Sequence, residues 1–318
     1  MKVIMYHYVR NSSSDFPELY YLHKEDFIRQ LDYFANEYGF VSREEFSDAL
    51  KTGIAPKGVV LTFDDGLREH YNEVFPVLLQ KGLWGAFYIS TAPYKTRKLL
   101  DVHRIHVLLG RYGGQMLLSE IRPLLKESDF SFEQRDSFRE ASYEGQNSDQ
   151  DTTEFKRIMN YYLEDSVCHE VLDHLMGNLM PNERTLVEDF YLDREEIKKM
   201  VEAGMVVGSH TSTHPVMSKL SLTQQGEQIR ESFNWLTSFC DFQERSYCHP
   251  YGRKGTFNED TFLALDTADV KYAFSVDPRD VSNDDLANNI LALPRYDCNL
   301  FPYGKASQGG KRTDMCGR

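Results

Sequence analysis

The sequence has no CxxC pair, no apolar run approaching a membrane span, no internal repeat, no low-complexity tract and no excess of basic charge. Each absence removes a class of protein. Five cysteines, Cys168, Cys240, Cys248, Cys298 and Cys316, are odd in number and widely scattered, which fits reduced thiols rather than a disulfide framework or a cysteine zinc site. Any metal is therefore left to histidine and carboxylate. No stretch reaches the roughly 18 uninterrupted apolar residues of a membrane helix, and the apolar part of the opening MKVIMYHYVR is too short for a secretion signal. The expected location is the cytoplasm. With 49 acidic against 36 basic residues the net charge is −13, the wrong sign for a surface that grips a phosphate backbone, so nucleic acid is not an expected partner.

What is present is a chain of 318 residues with 41% apolar content, enough to bury a full core as one large domain or two small ones, of which a single domain is expected. Short β-rich runs end in polar residues at 2–9, 58–63, 85–90, 205–210, 245–250, 271–276 and 290–295. Helix-like stretches lie between most of them, at 24–38, 72–82 and 222–239. Strands that alternate with helices predict a parallel α/β fold. Residues from about 95 to 190 break the alternation with few strand signals and many polar residues, and are expected to form a mostly helical insertion with a loop at 142–155.

In parallel α/β folds catalytic groups collect at the carboxyl ends of strands. Asp64 and Asp65, in VVLTFDDG, stand at one such end, and His210 and His214, in GSHTSTHP, stand four residues apart at another. Two imidazoles and one carboxylate make a three-ligand metal site of the catalytic type, with room left for water and substrate. If one aspartate binds metal, its neighbour is free to take a proton from water. Each pattern also has a plain structural reading. Asp-Asp-Gly is a common strand-to-helix turn with an N-cap, an HxxxH pair can make two unrelated polar contacts, and HPYG at 249–252 is a good turn sequence. For His103 and His106, in HRIH, the i, i+3 spacing invites a metal reading, but a solvated helix face is the expected account.

TFDDG (62–66), HTSTH (210–214) and HPYG (249–252) resemble the first three motifs of the polysaccharide deacetylase family, the NodB-homology domain of carbohydrate esterase family 4. The resemblance covers residues 1–95 and 190–300 and does not reach the insertion. It implies a distorted, incomplete (β/α) barrel and metal-assisted hydrolysis of an acetamide on an amino sugar or glycan precursor. It also implies that Asp64 is the general base, that Asp65, His210 and His214 hold the metal, and that the Tyr251 backbone N–H belongs to the oxyanion hole. Two histidines and one aspartate suit Zn²⁺ first, and Co²⁺, Ni²⁺ or Fe²⁺ as well.

The sequence departs from the family pattern in three places. Cys248 holds the place of the arginine that usually orients the base, and Arg295, in LPRYD, is the expected replacement. No histidine lies beyond His249, so the usual general acid is missing, and His7 and His249 are the candidates for that role. SVDPRDV (275–281) has valine where tryptophan is common, leaving Asp277 and Asp280 as supporting residues. Two other readings use the same residues: a metal-dependent deformylase or amidase acting on a non-glycan or lipid-linked substrate, and a catalytically silent carbohydrate-binding relative.

Overall fold

The computed structural model describes residues 1–11, 15–130, 149–241 and 244–309. In chain order its strands are β1 (Lys2–Tyr6), β2 (Val9–Arg10), β3 (Tyr20–His23), β4 (Val59–Phe63), β5 (Ala86–Ile89), β6 (Val206–Ser209), β7 (Ser246–Cys248), β8 (Tyr272–Phe274), β9 (Tyr296–Asp297) and β10 (Ser307–Gln308). Seven of them form one sheet in the order β8-β7-β6-β5-β4-β1-β9, every neighbouring pair parallel. β10, β3 and β2 form a small separate sheet.

The alternation of side chains along each strand divides the core. Val3, Val60, Ala86, Tyr88, Cys248, Phe274 and Leu293 meet on one face. Ile4, Leu61, Phe63, Phe87 and Ile89 pack on the other against the helices Lys24–Glu37 and Phe75–Lys81. The first of these helices buries Phe27, Leu31 and Phe34, an apolar stripe at helical spacing. Fully burying one such side chain contributes roughly 1.5–3 kcal/mol.

The sheet curls so far that its two edges share a neighbour. Leu293 bridges to Phe274 of β8, and Tyr296 and Asp297 pair with Ile4 and Met5 of β1. The result is the distorted, incomplete barrel that the family resemblance implies, closed by the segment 293–297 with Arg295 at its middle. The run 290–295 is not a strand, however: Ile290–Ala292 is a 3-10 turn, and pairing begins only at Leu293. The expected strand 2–9 also stops at Tyr6 and resumes at Val9.

Between β5 and β6 the chain is helical among the described residues, with helices Ala92–Thr96, Asp101–Ile121, Gln150–Arg157, Asp165–Leu179 and Glu183–Phe190 around their own apolar cluster. The loop expected at 142–155 holds only in part. Residues 142–148 lie outside the described residues, and Asp149 caps a helix from Gln150 by accepting the Thr152 N–H at 2.8 Å.

Candidate active site

The turn after β4 separates the two aspartates. Asp64 continues the inward alternation and its backbone N–H still donates to Tyr6 O at 3.0 Å. Asp65 takes φ 78° and Gly66 φ 67°, so the chain reverses and the carboxylates diverge. A Cβ on Gly66 would stand 3.0 Å from Ile89 Cγ2. Seven non-glycine residues among those described adopt positive φ, and four of them, Asp65, Thr211, His214 and Tyr251, lie in the three motifs. Such backbone costs of order 1 kcal/mol or more each and persists where the surroundings over-determine it, typically at functional sites.

Asp65 is almost completely buried, and its Oδ1 has no hydrogen-bond partner among the described residues. His210 Nε2 lies 3.5 Å from that oxygen and His214 Nε2 3.6 Å. His210 Nδ1 is 2.7 Å from Cys248 O; a carbonyl only accepts, so Nδ1 carries the hydrogen and Nε2 offers a lone pair. Burial lowers the pKa of both imidazoles, that of His214 to about 3, so both rings stay neutral. Lone pairs from a carboxylate and a neutral imidazole facing each other repel unless a cation lies between them. The separations match the spacing of about 3.3–3.5 Å between ligands that bind zinc tetrahedrally at 2.0–2.1 Å. The trio therefore fits a divalent metal. Asp64, His210 and Cys248 also converge, but both Asp64 oxygens are taken, and burial pushes the Cys248 thiol up, away from the thiolate that a metal needs.

Arg295 takes the Asp64 oxygens. Its side chain is fully buried, with Nη1 2.9 Å from Asp64 Oδ1 and Nη2 2.8 Å from Oδ2. It also donates to Thr62 Oγ1 at 3.0 Å and, through Nε, to Ser275 O at 3.1 Å. Cys248 Sγ lies 2.9 Å from Nη2 and 3.5 Å from Asp64 Oδ2, so the cysteine and the arginine meet at one carboxylate. Burial pushes Asp64 up, but the Arg295 charge, His210 and the guanidinium hydrogen bonds outweigh it and bring the carboxyl down to about 2.

The remaining candidates separate. His7 follows β1, is half-buried, and lines a cavity of about 640 Å³ with Tyr8, Tyr20, His106, Lys156 and Lys305. His249 points elsewhere. It donates from Nε2 to Leu291 O at 2.8 Å and stacks on Phe257 at 4.0 Å, and burial lowers its pKa to about 3. A ring that stays neutral and packed away from the cluster is not placed to deliver a proton. The Tyr251 ring lies 5.0 Å from that of His214. Asp277 and Asp280 do not reach the site: Asp277 pairs with Arg279, and Asp280 with Lys2 at 2.7 Å, both on the surface.

His103 overturns the reading of HRIH as solvated. It is fully buried in the first turn of Asp101–Ile121, with Nε2 3.1 Å from Asp65 Oδ2 and Nδ1 2.6 Å from Tyr191 Oη. His106, in the next turn, lies 3.0 Å from Tyr8 Oη through Nδ1. The signal was phase: His103 shares a helical stripe with Val107 and Gly110, both buried.

A curled parallel barrel with a buried carboxylate pair and a histidine pair at its strand ends defines a class, the NodB-like (β/α) barrel hydrolases. The chain belongs to the polysaccharide deacetylase family, whose sequence pattern matches residues 52–273. Its fold is similar to that of the Streptococcus pyogenes deacetylase PplD, with a TM-score of 0.56 at 18% identity over 93% of this chain and 91% of that one. It is similar as well to IcaB from Ammonifex degensii, with a TM-score of 0.52 at 20% identity over 93% and 90% of the two chains. For the BpsB deacetylase domain of Bordetella bronchiseptica the TM-score is 0.51 at 13% identity over 93% and 94%.

Proposed function

We propose that this protein is a metal-dependent deacetylase that removes the N-acetyl group from an amino sugar or glycan precursor. The observation that carries the reading is the orphaned Oδ1 of Asp65, flanked by the Nε2 atoms of two imidazoles beside an ionised, arginine-held Asp64. Asp65, His210 and His214 would hold the cation, Zn²⁺ by the nature of the donors, which when bound supplies Lewis acidity and acidifies the attacking water. Asp64 takes the proton of that water as it adds to the acetyl carbonyl. With a pKa of about 2 it is a weak base, so it relies on its fixed aim. The Tyr251 N–H donates to the developing oxyanion, a contribution of about 3 kcal/mol for donors of this kind. His7, on the cavity wall, protonates the departing amine nitrogen, without which the amide re-forms. The Streptococcus pyogenes relative was solved in complex with acetate, the product that this reaction releases.

The test is acetate release from N-acetylglucosamine oligomers, with metal content measured in parallel. Asp64→Asn should keep its metal and lose about 10²–10⁴-fold in rate, whereas His210→Ala and His214→Ala should lose the metal. Undiminished metal in both histidine variants overturns the site. Formate release from an N-formyl substrate in place of acetate release changes the reaction to a deformylation.

A further inference from the structure

We infer that His103, supplied by the helical insertion, is a positioning residue for the metal: it fixes Asp65 so that only Oδ1 faces the two imidazoles. The contact with the carboxylate determines the hydrogen on Nε2. A carboxylate only accepts, so the contact of His103 Nε2 with Asp65 Oδ2 at 3.1 Å requires the hydrogen on Nε2. Tyr191 Oη accepts the Leu100 N–H at 3.0 Å and holds the other ring nitrogen, His103 Nδ1, at 2.6 Å. With its hydrogen on Nε2, His103 cannot itself be a ligand through that atom. It holds Oδ2, leaving Oδ1 as the single oxygen directed between His210 and His214.

The chain of bonds rests on firm supports. Arg104, next to His103, is almost fully buried and grips Glu183 through Nε at 2.7 Å and Nη2 at 2.9 Å, and Asp173 through Nη1 at 3.0 Å. The segment that carries Tyr191 is tied to the aspartate turn itself: Leu67 bridges to Tyr191, and the Leu192 N–H donates to Gly66 O at 2.9 Å. The insertion is thus wired to the metal ligand from both sides of His103. Partners that orient a ligand in this way typically change metal affinity 10–100-fold when removed.

The inference rests on the metal reading, and zinc affinity measured by chelator competition separates the two. His103→Leu should weaken Zn²⁺ binding 10–100-fold. His103→Gln, whose amide nitrogen reaches the place of Nε2, should restore most of the affinity, whereas His103→Asn, whose amide stands at the place of Nδ1, should not. Tyr191→Phe removes the hydrogen-bond partner of the other ring nitrogen and should fall between. Thermal unfolding of the metal-free variants reports folding separately, and if His103→Leu does not fold, the Gln, Asn and Tyr191→Phe variants carry the comparison. A wild type that takes up no Zn²⁺ overturns the metal site and this role together. A wild type that binds Zn²⁺ beside His103 variants within twofold of it overturns the role alone.

Discussion

At the scale of residues, the centre of the site is a buried ion pair whose value depends on being whole. Arg295→Met strands the Asp64 carboxylate in the barrel interior and should cost about 3–5 kcal/mol. Asp64→Asn added to that background should cost far less than the sum of the two single changes, as read from urea unfolding in a double-mutant cycle. Additive losses would refute the pairing. Because Cys248 Sγ lies against both partners, Cys248→Arg in the Arg295→Met background should also recover part of the lost rate. His249 has a different consequence. Its pKa falls from 6.5 to about 3 through burial, so the folded protein prefers the neutral ring, and the stability this confers is complete above pH 6.5 and is lost as pH falls toward 3. By pH 4 the loss is about 3 kcal/mol. His249→Gln, which keeps a donor for Leu291 O, should show a smaller difference in unfolding free energy between pH 7 and pH 4 than wild type. An unchanged difference would mean that His249 is not held neutral. The sequence offered His249 as an acid because it showed a histidine beside Tyr251. It did not show Phe257 stacked on the ring.

At the scale of elements, the helix Asp101–Ile121 delivers His103 only if its first turn is held against the barrel. Arg104 does this from within the insertion, pairing with Glu183 and Asp173 from two other helices. Arg104→Met should therefore lower stability by about 3 kcal/mol and raise hydrogen exchange at amides 103–110 well above that in β4 and β5. Equal increases in the helix and the strands would argue for global destabilisation instead of local release. The positions of β4 and β6 were legible because an apolar run that ends in Asp-Asp-Gly or in Ser-His carries its own boundary. The segment 290–295 was misread as a strand because ILALPR is apolar in composition, and only pairing partners distinguish a strand from a 3-10 turn followed by a single bridge.

At the scale of the whole molecule, curling of the sheet turns distant stretches into neighbours. Asp64 and Arg295 are 231 residues apart and share two hydrogen bonds; Asp65 and His103 come from a strand end and an insertion. The sequence by itself pointed to the parallel α/β plan, to helices between β5 and β6 and to Asp64, Asp65, His210 and His214 as candidates, because these rest on local periodicity and on short motifs whose spacing is fixed by the turn they form. It also pointed to Arg295, because LPRYD sets an arginine at the end of a late apolar run. Tertiary structure alone decided that the two aspartates face different partners, which follows from the left-handed backbone at Asp65. It alone removed His249 from the candidates for proton donor and brought His103 into the site. The physical reason is that burial and hydrogen-bond partners set what an imidazole does, and both are assigned by chain segments far from the histidine itself.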